Sequence, residues 1–228
     1  MANLRIYGNT TGFIELQAAD VSNDSSVTVN NIVTSNNISN YLPTVYTPPA
    51  GTVLEQLSSV CDGSSVTVGS GTYTFTNVTA LQDTTTSFVD ITGSSISYTP
   101  RSEATRVEYE FYFMWHSSDN GGINHFQPMI DGDIVYKSCR THAGAYVSNS
   151  HPQHQIAMRM VIDCNAASTD GTEAKFTSWT TPKTLKVQFR SYSTDYDGRA
   201  HYNRWWAGGG ATSPYAIAKP YLTIRAIK

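Results

Sequence analysis

His151 and His154, in the stretch SHPQHQ, are the residues whose type and closeness best suit a metal ion. On a strand only residues two apart share a face, so a three-residue spacing would need the loop that Pro152 makes. Zinc sites also favour tighter sets with cysteine or carboxylate partners, and His116, His125, His142 and His201 are scattered. Asp131 with Asp133, and Asp195 with Asp197, are closely spaced oxygen ligands of the kind calcium takes, although Asp-Gly turns produce the same spacing for backbone reasons. Glu108 and Glu110 in EYE would share one strand face. Glycoside hydrolysis needs two carboxylates facing each other across a cleft, and the alternation with Val107, Tyr109, Phe111 and Phe113 is equally that of a strand with a wet outer side. No GxSxG elbow is present. The expectation is a protein that is not an enzyme and carries no cofactor and no resident metal, with His151 and His154 as weak candidates.

The segment DYDGRAHYNRWWAGGGATSPY (195–215) differs from the rest of the chain. It gathers Tyr196, Arg199, Tyr202, Arg204, Trp205, Trp206 and Tyr215 in a glycine-rich stretch too irregular to be a strand throughout. Aromatic residues and arginine bring large contact area at low entropic loss, and sugar rings stack on such faces. These seven residues are the candidate ligand contacts. The alternative for Trp205 and Trp206 is that they plug an end of the domain or a subunit interface.

The elements that would position these residues are strands. LRIY and FIELQA flank the turn signal GNTTG, and SSVTVN follows, so residues 1–42 read as a small β module. NIVTSNNISNYL is ambiguous and would hold at most one short helical turn. Three short strands bury little by themselves and need a partner surface. The apolar residues available for it are Leu4, Ile6, Tyr7, Phe13, Ile14 and Leu16. Residues 43–50, PTVYTPPA, carry three prolines and form an extended, semi-rigid spacer. Beyond it, over 51–228, come TVLEQLSSV, SVTV, TYTFTNVTAL, SFVDITG, SISYTP, RVEYEFYFMW, INHFQPMI, DIVYKSC, HQIAMRMVIDC, TLKVQFRSY and YLTIRAIK. IDGDIV predicts a tight hairpin at Asp131-Gly132, and SSDNGG and STDGTE predict two further turns. No amphipathic helix is evident. The fold class is all-β: a small N-terminal β module, a Pro-rich linker and a jelly-roll β-sandwich. The closing strand YLTIRAIK, apolar at Leu222, Ile224 and Ala226, would lie centrally in its sheet or against a symmetry axis.

Composition bounds the partners. Charged residues are 14% of the 228, well under the roughly 25% of an ordinary domain, and aromatics are 11%. The net charge of −3 divides unevenly: up to residue 100 there are seven acids and one base, Arg5, and beyond it fourteen bases and eleven acids. No run of Lys or Arg forms a phosphate-tracking stripe, so nucleic acid is not an expected partner. The first ten residues show no apolar leader core, and nowhere do about 18 apolar residues run together, so no membrane insertion is expected. Cys61, Cys139 and Cys164 are an odd set without CxxC spacing, expected to be reduced, mostly buried thiols.

TTTSFVDITGSSISYTPRSEATRVEYEF resembles the start of the distal domain in fibre and appendage proteins of tailed bacteriophages, and YLTIRAIK resembles that domain's closing strand. GTVLEQLSSVCDGSSVTVGSGTYTFTNVTALQDTTT is similar to a segment of structural proteins of marine phages, cyanophages among them, and MANLRIYGNTTGFIELQAADVSNDSSVTV resembles their N-terminal β repeat. The resemblance covers most of the chain and is weakest over 139–215. It implies a homotrimer with a jelly-roll head shaped like those of complement C1q and tumour necrosis factor, assembled in the host cytoplasm into a virion. It implies docking through residues 1–42 to other virion proteins and a head that attaches to a host surface glycan. A capsid head fibre or decoration protein, or a stand-alone carbohydrate-binding module, remains the alternative. No catalytic residue is implied.

Overall fold

The computed structural model describes residues 3–7, 13–17, 48–117, 123–137, 153–203 and 216–228, the first two stretches by backbone alone. The chain divides into two compact units, Met1–Thr47 and Pro48–Lys228, with the division inside the proline-rich stretch. In the first unit β1 (Asn3–Tyr7) and β2 (Phe13–Gln17) form an antiparallel hairpin. Its register sets Leu4 opposite Leu16, Ile6 opposite Ile14 and Tyr7 opposite Phe13. SSVTVN and NIVTSNNISNYL lie outside the described residues.

In the second unit the chain runs through β3 (Val53–Val60), β4 (Ser65–Val68), β5 (Gly71–Thr74), β6 (Gln82–Asp83), β7 (Val89–Asp90), β8 (Ile96–Tyr98) and β9 (Arg106–Ser117). It continues through β10 (Asn124–Ile130), β11 (Asp133–Ile134), β12 (Gln153–Asp163), β13 (Lys183–Ser191), β14 (Gly198–Ala200) and β15 (Tyr221–Ile227). A 3-10 turn at Gly171–Glu173, N-capped by Asp170, lies between β12 and β13. One sheet has the order β3-β15-β9-β14-β6 with β12 along the other side of β9; the second has the order β11-β10-β13-β7, with β8 also on β13. Every named pair is antiparallel, and the whole is a curled two-sheet sandwich of the jelly-roll kind.

Alternation builds the core. On β9 Val107, Tyr109, Phe111, Phe113 and Trp115 point inward and are no more than 1% exposed, while Glu108, Glu110 and Tyr112 alternate with them. β10 and β13 contribute Phe126, Ile130, Leu185, Val187 and Phe189 from the facing sheet, and the rings mesh at 5.7 Å between Phe113 and Phe126 and 6.3 Å between Trp115 and Phe126. Each such phenyl side chain removed from water contributes roughly 2–3 kcal/mol. β15 runs centrally between β3 and β9, as its apolar alternation requires.

The turn at Asp131-Gly132 has positive φ at both residues, 49° and 98°, which matches the right-handed strand twist. TYTFTNVTAL stops being a strand at Thr74, because Phe75 and Val78 dive into the core and their amides bond the carbonyls of Ser64 and Cys61. SFVDITG and DIVYKSC pair for two residues each. Cys61 and Cys164 are buried free thiols, and burial pushes each up to about 12; Cys139 lies outside the described residues.

One end of the sandwich is closed by a polar network. Glu55 sits on β3 opposite Ala226 and is 8% exposed. Its carboxylate accepts from Tyr98 Oη at 2.6 Å, Ser70 N at 2.9 Å and Ser70 Oγ at 2.6 Å. Tyr73 donates to the Thr99 carbonyl at 3.0 Å, and Trp179 Nε1 to the Tyr98 carbonyl at 3.2 Å. The β4–β5 hairpin is thereby pinned to the sandwich through its own turn.

Candidate functional site

The opposite end is built where β9 finishes, β10 and β12 begin, and β13 leads into β14. β14 fits there because residue 198 is glycine. A Cβ at Gly198 would lie 2.6 Å from Trp115 Nε1 and 2.9 Å from Asn124 Nδ2. The strand is also tied to Thr84, whose Oγ1 receives Gly198 N at 2.8 Å while Thr84 N donates to the Gly198 carbonyl at 2.8 Å. The Asp-Gly pair here therefore serves a close backbone approach in addition to the turn that its sequence suggests.

β14 and the residues after it place the described members of the candidate recognition set. Tyr196 lies in the connection between β13 and β14, its ring 6.3 Å from that of Tyr192, which is 62% exposed. Arg199 donates from Nε to Asp83 Oδ1 at 2.6 Å, directly across the β14–β6 pair, and lies 5.7 Å from the Tyr202 ring. Tyr202 is 8% exposed and packs edge-on against His116 at 5.0 Å. Arg199 and Tyr202 thus have internal partners, whereas Tyr196 shares an aromatic surface with a residue of β13's end. Arg204, Trp205, Trp206 and Tyr215 lie outside the described residues, as do SSDNGG beyond Ser117 and His142.

His151 is also outside the described residues. His154, on β12, stands opposite Trp115 and stacks on its indole at 5.5 Å. Among the described residues no group of three or more His, Cys, Asp or Glu is arranged to hold a metal ion. Asp131 is committed to the protein: its carboxylate accepts from Thr184 N at 2.7 Å and Lys183 Nζ at 3.2 Å. Glu108 and Glu110 lie on the outer face of β9 beside a shallow groove of about 280 Å³. Both are held in ion pairs, Glu108 with Arg106 of its own strand at 3.3 Å and Glu110 across the strands with Arg159 of β12 at 3.0 Å.

Buried histidine chemistry gathers at this end. His201 is fully buried at φ 64°, its amide bonded to the Met114 carbonyl at 2.7 Å. Its ring nitrogens make no well-formed hydrogen bond among the described residues. Burial pushes its pKa down to about 4, and the Thr92 backbone opposes this only in part. On the facing sheet His125 pairs in register with Arg190, and burial first and the Arg190 charge second lower its pKa. Arg190 lies over the Phe88 ring at 5.1 Å. The sequence reading did not single out Phe88, His125, Arg190 or Tyr192 together. The signal available was the alternation of TLKVQFRSY, which places Arg190 and Tyr192 on one face.

No family model matches the chain, and no curated protein matches it. Among solved structures it is similar to the structure of infectious bursal disease virus Gx strain, with 12% identity, 98% of this chain and 44% of that chain covered, and a TM-score of 0.34. It is also similar to the structure of infectious bursal disease virus Gt strain, with 12% identity, coverage of 82% and 46%, and a TM-score of 0.22. The chain spans less than half the length of either, and superpositions this loose identify no function.

Proposed function

We propose that the chain is a virion structural protein, a trimeric phage fibre or appendage that docks through residues 1–42 and presents its β-sandwich for attachment to a host surface glycan. The observation that carries this reading is the two-unit construction. A small unit with a β1–β2 hairpin meets a larger all-β body within a proline-rich stretch, in the same order as the stretches that resemble phage appendage proteins. Support comes also from the low-charge surface and from reduced thiols shielded inside the fold, which suit assembly in a reducing cytosol.

Trimerisation would multiply weak sugar contacts into avidity. The full chain should run in light scattering as three 25.0 kDa copies and stay so on dilution. A Tyr7→Ser, Phe13→Ser variant, altering a facing pair of the hairpin, should remain folded and lose incorporation into particles. A monomer, or undiminished incorporation of that variant, would sink the reading.

A further inference from the structure

The outer face of the second sheet carries an arginine that no carboxylate among the described residues neutralises. Six arginines have described side chains. Arg101, Arg106, Arg159, Arg199 and Arg225 each reach a carboxylate within 4.0 Å. Among the described residues Arg190 reaches none, and its buried Nε has no hydrogen-bond acceptor there. What it has instead are rings. The β10–β13 register sets His125 beside it, and Phe88, one residue before the Val89–Phe189 pair, lies on its other side with the guanidinium 5.1 Å above the phenyl. Two residues along β13's direction Tyr192 projects from the same face, its amide held by the Ile123 carbonyl at 2.8 Å and its ring beside Tyr196.

We propose that Arg190, Phe88, His125 and Tyr192 form a binding site for an acidic sugar, a saccharide carrying a carboxylate on its ring; this rests on the attachment reading and names its ligand class. A guanidinium placed over an aromatic ring keeps the planar fork of donors that matches a carboxylate, and the pair is strengthened by charge. The exposed Tyr192 ring offers a flat apolar face for the apolar side of a sugar ring. His125, whose pKa is lowered by burial first and by the Arg190 charge second, stands beside the guanidinium as an uncharged ring and adds no second cation to the site. The next row of the sheet is Gln127 and Gln188, hydrogen-bonded to each other at 2.9 Å, and below it the Lys186 charge is spent on Asp90 at 2.9 Å. Among the described residues this face holds one unpaired cation between rings and amides, which fits one acid per sugar unit. It does not fit a polyanionic peptide or nucleic acid, which would call for a row of cations.

The test is calorimetry of the full chain with oligogalacturonate, against neutral dextran and poly-glutamate, with the variants R190Q and Y192S. Both substitutions leave the core intact, and circular dichroism checks their fold. Saturable oligogalacturonate binding is expected, weakened about tenfold or more by R190Q because a charge-assisted pair is lost, and several-fold by Y192S, with none for dextran. No oligogalacturonate binding by the folded wild type, equal binding by R190Q, or equally tight poly-glutamate overturns the site. Host-cell adsorption that survives both substitutions overturns the site and leaves attachment standing. Oligogalacturonate binding without any cell adsorption does the reverse.

Discussion

At one end of the sandwich Glu55 is 8% exposed and its carboxylate takes three hydrogen bonds from Tyr98 and Ser70; at the other Asn124 is fully buried and neither atom of its amide meets a partner among the described residues. The first end uses all its polar groups internally and locks a hairpin to the body. The second keeps buried polarity in excess, with His201 uncharged by burial and Gly198 pressed against Trp115 and Asn124. A satisfied network rigidifies, while an unsatisfied one lowers stability and persists where something other than stability keeps it. The end with spare polarity is also the one that carries the aromatic and arginine residues.

Breaking the satisfied end should have the largest effect. Glu55→Ala strands the Tyr98 hydroxyl and the Ser70 donors in the interior, and urea denaturation should show a loss of about 4 kcal/mol, since each orphaned buried group costs about 1–3 kcal/mol. A loss no larger than a surface mutation's would mean that water replaces the carboxylate and the end is not closed.

The unsatisfied end should show itself through pH. Burial lowers the His201 pKa from the ordinary 6.5 to about 4, so between these values the unfolded chain binds a proton that the folded chain refuses. Its contribution is fully present above pH 6.5 and drains as pH falls through 4, amounting to about 3 kcal/mol from a shift worth about 1.4 kcal/mol per unit. His201→Asn, which tolerates the same left-handed backbone, should flatten that part of the stability profile. An unchanged slope would place the titration elsewhere.

Asn124→Leu exchanges an unpaired amide for an apolar group of similar shape and should raise stability by about 1 kcal/mol, read as a higher melting temperature. A clear destabilisation would mean that the amide is satisfied after all, and the contrast between the ends would narrow. Smallest is the control on the outer face of β9: Glu110→Ala removes one ion pair with the exposed Arg159 and should change stability by under about 1 kcal/mol, and by less in high salt.

The two carboxylates that drew attention in the sequence, Glu108 and Glu110, lie in surface ion pairs, while Glu55, within the unremarkable VLEQL, organises an end of the fold. Alternation with Leu57 already placed Glu55 on the inward face of β3. What made it important is Tyr98 and Ser70, which come from two other elements and could not be read from the spacing. Arg199 and Tyr202 were legible as residue types suited to recognition, yet β6, a two-residue strand too short to leave a pattern, supplies the Asp83 that engages Arg199. Arg190 was hidden for the converse reason: its distinction is that no carboxylate among the described residues reaches it, and that has no signature along the chain.

Period-two alternation belongs to a single strand, so the inward rows of β9, β12 and β15, the positive-φ turn at Asp131-Gly132 and the all-β class were settled by the sequence itself. Which strand lies beside which depends on the register of segments from about forty to more than a hundred residues apart. That register, through the tertiary structure alone, decided that Asp83 would meet Arg199, that Glu55 would meet Tyr98, and that Arg190 would lie beside the Phe88 and His125 rings.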